Sequence, residues 1–251
     1  MSVTKLRLDR LLVEKGLAPS RQRARAMIMA GKVLVNNRPA DKAGILVAPN
    51  DRIALQGRDI PYVSRGGLKL EAALKTLEFS VNGLICLDVG ASTGGFTDCL
   101  IQNGAARVFA VDVGYGQLAW RLRQDPRVVV IERTNIRYLP AEAVPEPIDL
   151  ATIDVSFISL KIVVPAITAF LNADARILAL IKPQFEVGKN QVGKGGVVRD
   201  TALHQRVVHD LAEFFLEKKI FCQKVIPSPI LGPKGNQEFF ILLQPKPGGS
   251  S

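Results

Sequence analysis

The stretch Gly90-Ala-Ser-Thr-Gly-Gly-Phe-Thr97 follows an apolar run, Leu84 to Val89, with Asp88 near the end of that run. A glycine turn between a strand and a helix offers backbone N–H groups and a helix N-terminus to a nucleotide-like ligand at a sheet edge. This turn reads Gly-x-Ser-x-Gly-Gly, not the Gly-x-Gly-x-x-Gly of dinucleotide enzymes. Asp112 ends the next apolar run, Val108 to Val111, 22 residues after Gly90. That is near the spacing at which a carboxylate takes ribose hydroxyls. Two acids bracketing such a turn point to S-adenosylmethionine (SAM), although an ordinary tight turn in an α/β protein shares part of the pattern. The cofactor candidates are Gly90, Ser92, Thr93, Gly94, Gly95, Phe96 and Thr97 at the methionine end, Asp112 on the ribose and Asn135 at the adenine.

Four further polar residues flank predicted elements. Lys69 opens a helix, where the helix dipole disfavours a cation, so a functional reason competes with plain solvation. Asp154 and Lys182 each follow a predicted strand, in Ile153-Asp-Val-Ser-Phe157 and Leu180-Ile-Lys-Pro-Gln-Phe185. Glu238 starts the last strand. Ligands of open α/β sheets sit outside the carboxyl ends of the parallel strands. An antiparallel last strand would bring Glu238 to that same edge. Phe157 is expected as core, or as a wall of the pocket.

The elements that must position these residues are legible in the apolar pattern. Strands are predicted at Leu84–Val89, Val108–Val111, Val128–Ile131, Ile148–Ile153, Ile177–Ile181 and Glu238–Leu243. Helices are predicted from Ser64-Arg-Gly-Gly67 to about Phe79, from Phe96 to Gly104, and at 116–123, 159–171 and 201–218. This alternation predicts a largely parallel, doubly wound α/β sheet. The loop from Gly188 to Gly196 is either a basic lid over a polyanion or simply a flexible connection.

The first quarter of the chain differs. Residues 1–60 hold 12 Lys and Arg against 5 Asp and Glu, whereas the rest of the +10 chain holds 21 against 18. A basic module of this kind calls for a polyanionic partner, most simply nucleic acid. Leu6 to Lys15 and Arg21 to Ala30 have helical spacing, with Gly16 and Gly31 as stops and Ser20 as an N-cap. Val33-Leu-Val35, an Asn36-Asn37 turn, Val47 and Ile53 to Leu55 suggest short strands. Arg21 and Arg25 share a helix face and Arg23 is offset from them, making these three the RNA-contact candidates. No run reaches the ~18 apolar residues of a membrane span. There is no signal-peptide pattern at the N-terminus, so no membrane role and a cytoplasmic location are expected. Cys86, Cys99 and Cys222 are scattered, and His204 and His209 lack companion ligands, so no metal is expected.

Several phrases carry a family resemblance. Arg7-Leu-Asp-Arg-Leu-Leu, Gly16-Leu-Ala-Pro-Ser-Arg21, Ala30-Gly-Lys-Val-Leu-Val-Asn36 and Pro49-Asn-Asp-Arg-Ile53 resemble the S4 RNA-binding domain. Val63-Ser-Arg-Gly-Gly-Leu-Lys-Leu70, Asp88 to Thr97, Val111 to Leu118, Asp154 to Ser159, Lys182 to Gly188 and Gly232-Pro-Lys-Gly-Asn-Gln-Glu238 resemble the FtsJ/RrmJ-type methyltransferases. Together they resemble the TlyA/haemolysin A family of ribosomal RNA 2′-O-methyltransferases. That resemblance implies a small α+β S4 domain at 1–60 and a Rossmann-like class I SAM methyltransferase domain at 61–245, while the Pro-, Gly- and Ser-rich residues at 246–251 read as a disordered tail. The resemblance also implies methylation of cytidine ribose, ribosomal RNA or ribosomal subunits as partners, and a Lys69–Asp154–Lys182–Glu238 tetrad.

A ribose 2′-OH is a weak acid and must lose its proton while aligned with the methyl donor. Lys182 is the candidate base, since burial and a nearby cation lower a lysine pKa. Asp154 and Glu238 oppose that shift, so the four are expected to act as a coupled set. Two other readings compete: a non-catalytic RNA-binding or ribosome-assembly factor, which the intact tetrad disfavours, and a haemolysin, which lacks any span or long alternating pattern.

Overall fold

The computed structural model describes residues 5–29, 32–40, 42–55, 60–193, 195–232 and 235–245. The predicted stop at Gly31, the end of the first predicted domain at Arg58-Asp59, Lys194 of the 188–196 loop and the 246–251 tail lie outside the described residues. The chain divides into two compact units, Met1–Asp59 and Ile60–Ser251.

In the first unit, β1 (Leu6–Arg7) leads directly into α1 (Leu8–Glu14), and α2 (Arg21–Met29) follows. Ser20 starts α2 by accepting the Arg23 N–H at 3.2 Å. The strands are β2 (Val33–Val35), β3 (Arg38–Pro39), β4 (Leu46–Val47) and β5 (Ile53–Leu55). Asn36 and Asn37 both take positive φ, 51° and 64°, and close a two-residue hairpin with Val35 facing Arg38. Asparagine tolerates that conformation, and such a turn matches the strand twist. Leu8, Leu12, Ala24, Ile28 and Val33 form a small apolar core with no exposure.

The second unit contains α3 (Arg65–Thr76), β6 (Ile85–Val89), α4 (Gly95–Gln102), β7 (Arg107–Val111), α5 (Trp120–Arg123), β8 (Val128–Ile131), β9 (Ile148–Ile153), α6 (Leu160–Ile167), β10 (Leu171–Ile181), α7 (Pro183–Glu186), α8 (Thr201–Glu217), β11 (Ile220–Pro227) and β12 (Phe239–Pro245). They build a seven-stranded sheet in the order β11-β12-β10-β9-β6-β7-β8. β10, β9, β6, β7 and β8 pair in parallel. β12 runs antiparallel beside β10, with Ile181 facing Phe239.

One sheet face packs Leu70, Leu100 and Leu122 of α3, α4 and α5, and the other packs Val163, Ile167, Leu211 and Phe215 of α6 and α8. Each fully buried aliphatic or aromatic side chain is worth about 1.5–3 kcal/mol, so the central strands, covered on both faces, anchor the unit. This is the doubly wound α/β class expected.

Several elements differ from the sequence pattern: Leu6–Arg7, expected to open a helix, form β1, and α7 was not expected. The helix expected at 116–123 is one turn, α5, because Gly116 takes φ +70° and its N–H bonds Glu132 at 3.0 Å, holding the chain in a loop. β10 begins at Leu171, not Ile177; a register shift between Leu171 and Arg176 masks its early alternation. β11 is new. It is an edge strand with Phe221, Cys222, Gln223 and Lys224 exposed, so it lacks the apolar run of a buried strand.

Candidate active site

The glycine turn is held from beneath. Asp88, without exposure, accepts hydrogen bonds from Thr97 Oγ1 at 2.6 Å and Thr152 Oγ1 at 3.2 Å. These tie the end of β6 to the first turn of α4 and to β9. Burial pushes the Asp88 carboxyl up to about 7, although both hydroxyls favour its charged form. Gly90, at φ +84°, crosses over β9 so closely that a β-carbon would lie 2.6 Å from the Asp154 carbonyl oxygen. No L side chain fits there. Gly94, in left-handed conformation, is the N-cap of α4.

The turn opens onto a cavity of about 520 Å³. Gly90, Ser92, Asp112 and Asn135 line it, together with Asp154 and Phe157. Asp112 accepts the Ser92 N–H at 2.7 Å on one oxygen and the Gly114 N–H at 2.6 Å on the other. Each carboxylate oxygen can take a second donor, so Asp112 both shapes the turn and keeps acceptor capacity. Asn135 caps a short helical turn by accepting the Arg137 N–H.

The remaining cofactor candidates stand behind this wall. Thr93 is half-buried and its carbonyl accepts the Ala119 N–H at 3.1 Å. Gly94 and Gly95 pack against α5 and the start of α3, Phe96 faces Phe240 at 6.1 Å, and Thr97 holds Asp88. Gln117, Thr134 and Ser156 also line the cavity. Gln117 and Ser156 lie inside phrases that carried the family resemblance, but polar residues in loops have no periodicity to single them out. A larger cavity of about 680 Å³ lies among α8, β11 and β12. It is lined by none of the candidate residues, whereas the smaller one is lined by Gly90, Ser92, Asp112, Asn135 and Asp154.

The four tetrad candidates form two pairs. Lys69 Nζ donates to Glu238 Oε2 at 2.6 Å, with Lys69 buried and Glu238 fully so. Lys182 Nζ lies 2.6 Å from Asp154 Oδ1, an ionic contact without hydrogen-bond alignment, and donates to Ser156 Oγ at 3.0 Å. Lys182 directly follows β10 and Glu238 directly precedes β12, so the antiparallel register brings them to neighbouring positions at one edge. Glu238 Oε1 is buried with no hydrogen-bond partner among the described residues, and it lies against Gly232, where a β-carbon would fall 2.0 Å away.

The loops carrying Asp154 and Lys182 are fastened to each other. Glu186 accepts Ser159 Oγ at 2.6 Å and Leu160 N–H at 2.8 Å. Phe157 meets Phe185 with ring centroids 4.8 Å apart. Phe157 is not core: it is 89% exposed, at φ +65°. The 188–196 loop is pinned where it ends, since Asn236 bonds Gly196 O and Val198 N.

The arginine candidates lie in the first unit. Arg21 and Arg25 converge on buried Asp9 with Arg7, while Arg23 is half-buried on another side of α2.

A mostly parallel sheet with one antiparallel strand, and a cavity at its glycine turn, is the architecture of a Rossmann-like methyltransferase. The FtsJ-like methyltransferase family matches residues 62–245, and the S4 domain matches residues 6–53. The chain belongs to the FtsJ-like methyltransferase family, in its TlyA/haemolysin A type. It is 49% identical to 16S/23S rRNA (cytidine-2'-O)-methyltransferase TlyA of Mycobacterium tuberculosis, over 95% of this chain and 89% of that one. It is 40% identical to Hemolysin A of Brachyspira hyodysenteriae, over 93% of this chain and 98% of that one. The solved structure of a hemolysin-named protein from Streptococcus thermophilus is 41% identical, covers 98% of this chain and 92% of that one, and has a TM-score of 0.76.

Proposed function

We propose that this protein methylates the 2′-hydroxyl of cytidine in ribosomal RNA, with SAM as donor. The observation that carries the reading is Lys182, held by Asp154 and Ser156, with Asp154 and Ser156 lining the same cavity as Gly90, Ser92, Asp112 and Asn135. The cavity fits SAM in the chemistry of its donors. Gly90 lets the turn cross Asp154 at the cavity wall where no side chain fits, and Asp112 keeps acceptor capacity for ribose hydroxyls. Bound there, SAM supplies an electrophilic methyl group on a sulfonium.

The chain's own residues do the rest. Asp112 takes the cofactor ribose, Asn135 faces the adenine, and Gly90 and Ser92 shape the turn. Thr93, Gly94, Gly95, Phe96 and Thr97 support it from behind. Lys182 takes the proton of the substrate 2′-OH. Asp154 and Ser156 hold its amine in place. Lys69 and Glu238 form a buried pair at the same sheet edge as Lys182 and support the site from outside the cavity. In this reading residues 61–245 carry the chemistry and residues 1–60 clamp the RNA. Its place is the cytoplasm, where ribosomal subunits are; among the described residues no helix is long and apolar enough to cross a membrane.

Mass spectrometry of ribosomal RNA nucleosides from cells with and without the gene tests the reading. Loss of 2′-O-methylcytidine on deletion is the expected result, and an unchanged nucleoside profile would overturn it.

A further inference from the structure

Asp9 is an odd residue to bury in a module with a strong positive excess. Its side chain has no exposure, yet it lies among half-exposed arginines. Arg7 grips it with two parallel hydrogen bonds, Nε to Oδ1 and Nη2 to Oδ2, both at 3.0 Å. Arg21 Nη2 reaches Oδ2 at 3.3 Å, and Arg25 Nε reaches the same oxygen at 3.1 Å. The three arginines come from β1 and from two successive turns of α2. Gly44 makes room for Arg7: a β-carbon there would lie 3.1 Å from Arg7 Nη1.

Each guanidinium carries five N–H donors. Among the described residues Asp9 engages two on Arg7 and one each on Arg21 and Arg25, which leaves most of the donors for another acceptor. The cluster keeps a local excess of two positive charges. A carboxylate in such a place lowers the long-range attraction for a polyanion, so charge alone does not account for it. It does fix three long side chains, whose rotamer freedom would otherwise be lost when the anion binds.

We infer that Arg7, Arg21 and Arg25 form a preorganised clasp for a backbone phosphate of the RNA, with Asp9 as its positioning residue. This deepens the proposed function and rests on its RNA partner. The clasp reads no base: phosphate contacts set position and register, not sequence. Arg7 joins the clasp although it precedes α2, because β1 delivers it to the α2 face.

The preorganisation idea and a plain charge effect differ in sign. Asp9→Asn raises the net charge by one. If attraction were all, the variant would bind RNA more tightly. If Asp9 positions the arginines, it binds more weakly, by roughly tenfold for two or three freed side chains. Arg7→Lys and Arg25→Lys keep the charge but cannot reproduce the fork. They serve where Asp9→Asn disturbs folding.

The experiment is fluorescence anisotropy of the full chain with a structured ribosomal RNA fragment, at two salt concentrations. Circular dichroism and calorimetry with SAM check that each variant is folded. Expected are weaker binding by folded Asp9→Asn, and by Arg7→Lys and Arg25→Lys, with a shallower salt slope. Equal or tighter binding by folded Asp9→Asn overturns the inference, as does wild-type affinity in both lysine variants should Asp9→Asn unfold. If the wild type binds and methylates RNA while all variants bind alike, only the clasp fails. If the wild type shows no salt-dependent RNA binding, the RNA reading fails and the clasp with it.

Discussion

Gly90 and Asp154 touch through their backbones: a β-carbon on Gly90 would lie 2.6 Å from the Asp154 carbonyl oxygen, and the Asp154 N–H bonds Val89 O at 3.0 Å. The turn proposed to hold the cofactor and the residue proposed to hold the base are thus parts of one rigid crossing. Movement of either is passed to the other without an intervening side chain.

Gly90→Ala is therefore expected to disturb both functions. The φ of +84° costs an L residue about 1–3 kcal/mol even before the contact with Asp154 is counted. A lower melting temperature and weaker SAM binding by calorimetry are expected. A variant with wild-type melting and wild-type SAM affinity would contradict the crossing's role.

Lys182→Ala is expected to slow methyl transfer by about 10²–10⁴-fold, the usual loss for a general base. Lys182→Arg should not rescue it, because a guanidinium does not give up its proton. Transfer of labelled methyl to ribosomal RNA measures the rate, and SAM calorimetry shows whether the pocket is intact. Turnover by folded Lys182→Arg near the wild-type rate would exclude Lys182 as the base.

Gly232→Ala should act on the second pair. The added methyl would fall 2.0 Å from Glu238 Oε1, so Glu238 must move and its 2.6 Å bond to Lys69 with it. Methyl transfer should drop while SAM affinity stays, since neither residue lines the 520 Å³ cavity. Loss of both together would place the pair in cofactor binding instead.

Asp88 gives a pH signature. Its carboxyl sits at about 7 in the folded chain against 3.8 ordinarily, so the native state binds the proton more tightly than the unfolded chain. Its contribution to stability is full below the ordinary value and is lost as pH rises through about 7. Asp88→Asn removes this dependence. The melting temperature of the variant relative to wild type should rise between about pH 5 and about pH 8. A difference constant with pH would show that Asp88 does not titrate in that range.

The sequence by itself determined the sheet class, the glycine turn and the identity of the four tetrad candidates. Strand periodicity and glycine spacing are local properties, and the parallel strands β6 to β9 are short apolar runs whose burial follows from composition. The hairpin at Asn36-Asn37 was legible for the same reason, since turn chemistry depends on the residues in the turn. Asp154 and Lys182 were legible as strand-end residues because a sheet's carboxyl edge can be traced from its strands.

Only the tertiary structure decided which residues meet. Lys69 and Glu238 are 169 positions apart, and their pairing depends on the antiparallel register of β12 beside β10. Phe157 was expected as core or as a wall of the pocket, and the backbone at φ +65° turns it out against Phe185, where it lines the cavity. The edge strand β11 was hidden because Phe221 to Lys224 are all exposed, so it carries neither a buried strand's apolar run nor a clean alternation. Phe96 and Thr97, named with the cofactor turn, face the core because the first turn of α4 rotates them behind the cavity wall. Arg21 and Arg25 were visible as a helix face, whereas Asp9 beneath them was not. A buried ion cluster is a property of three elements packed together, and no single stretch of chain encodes it.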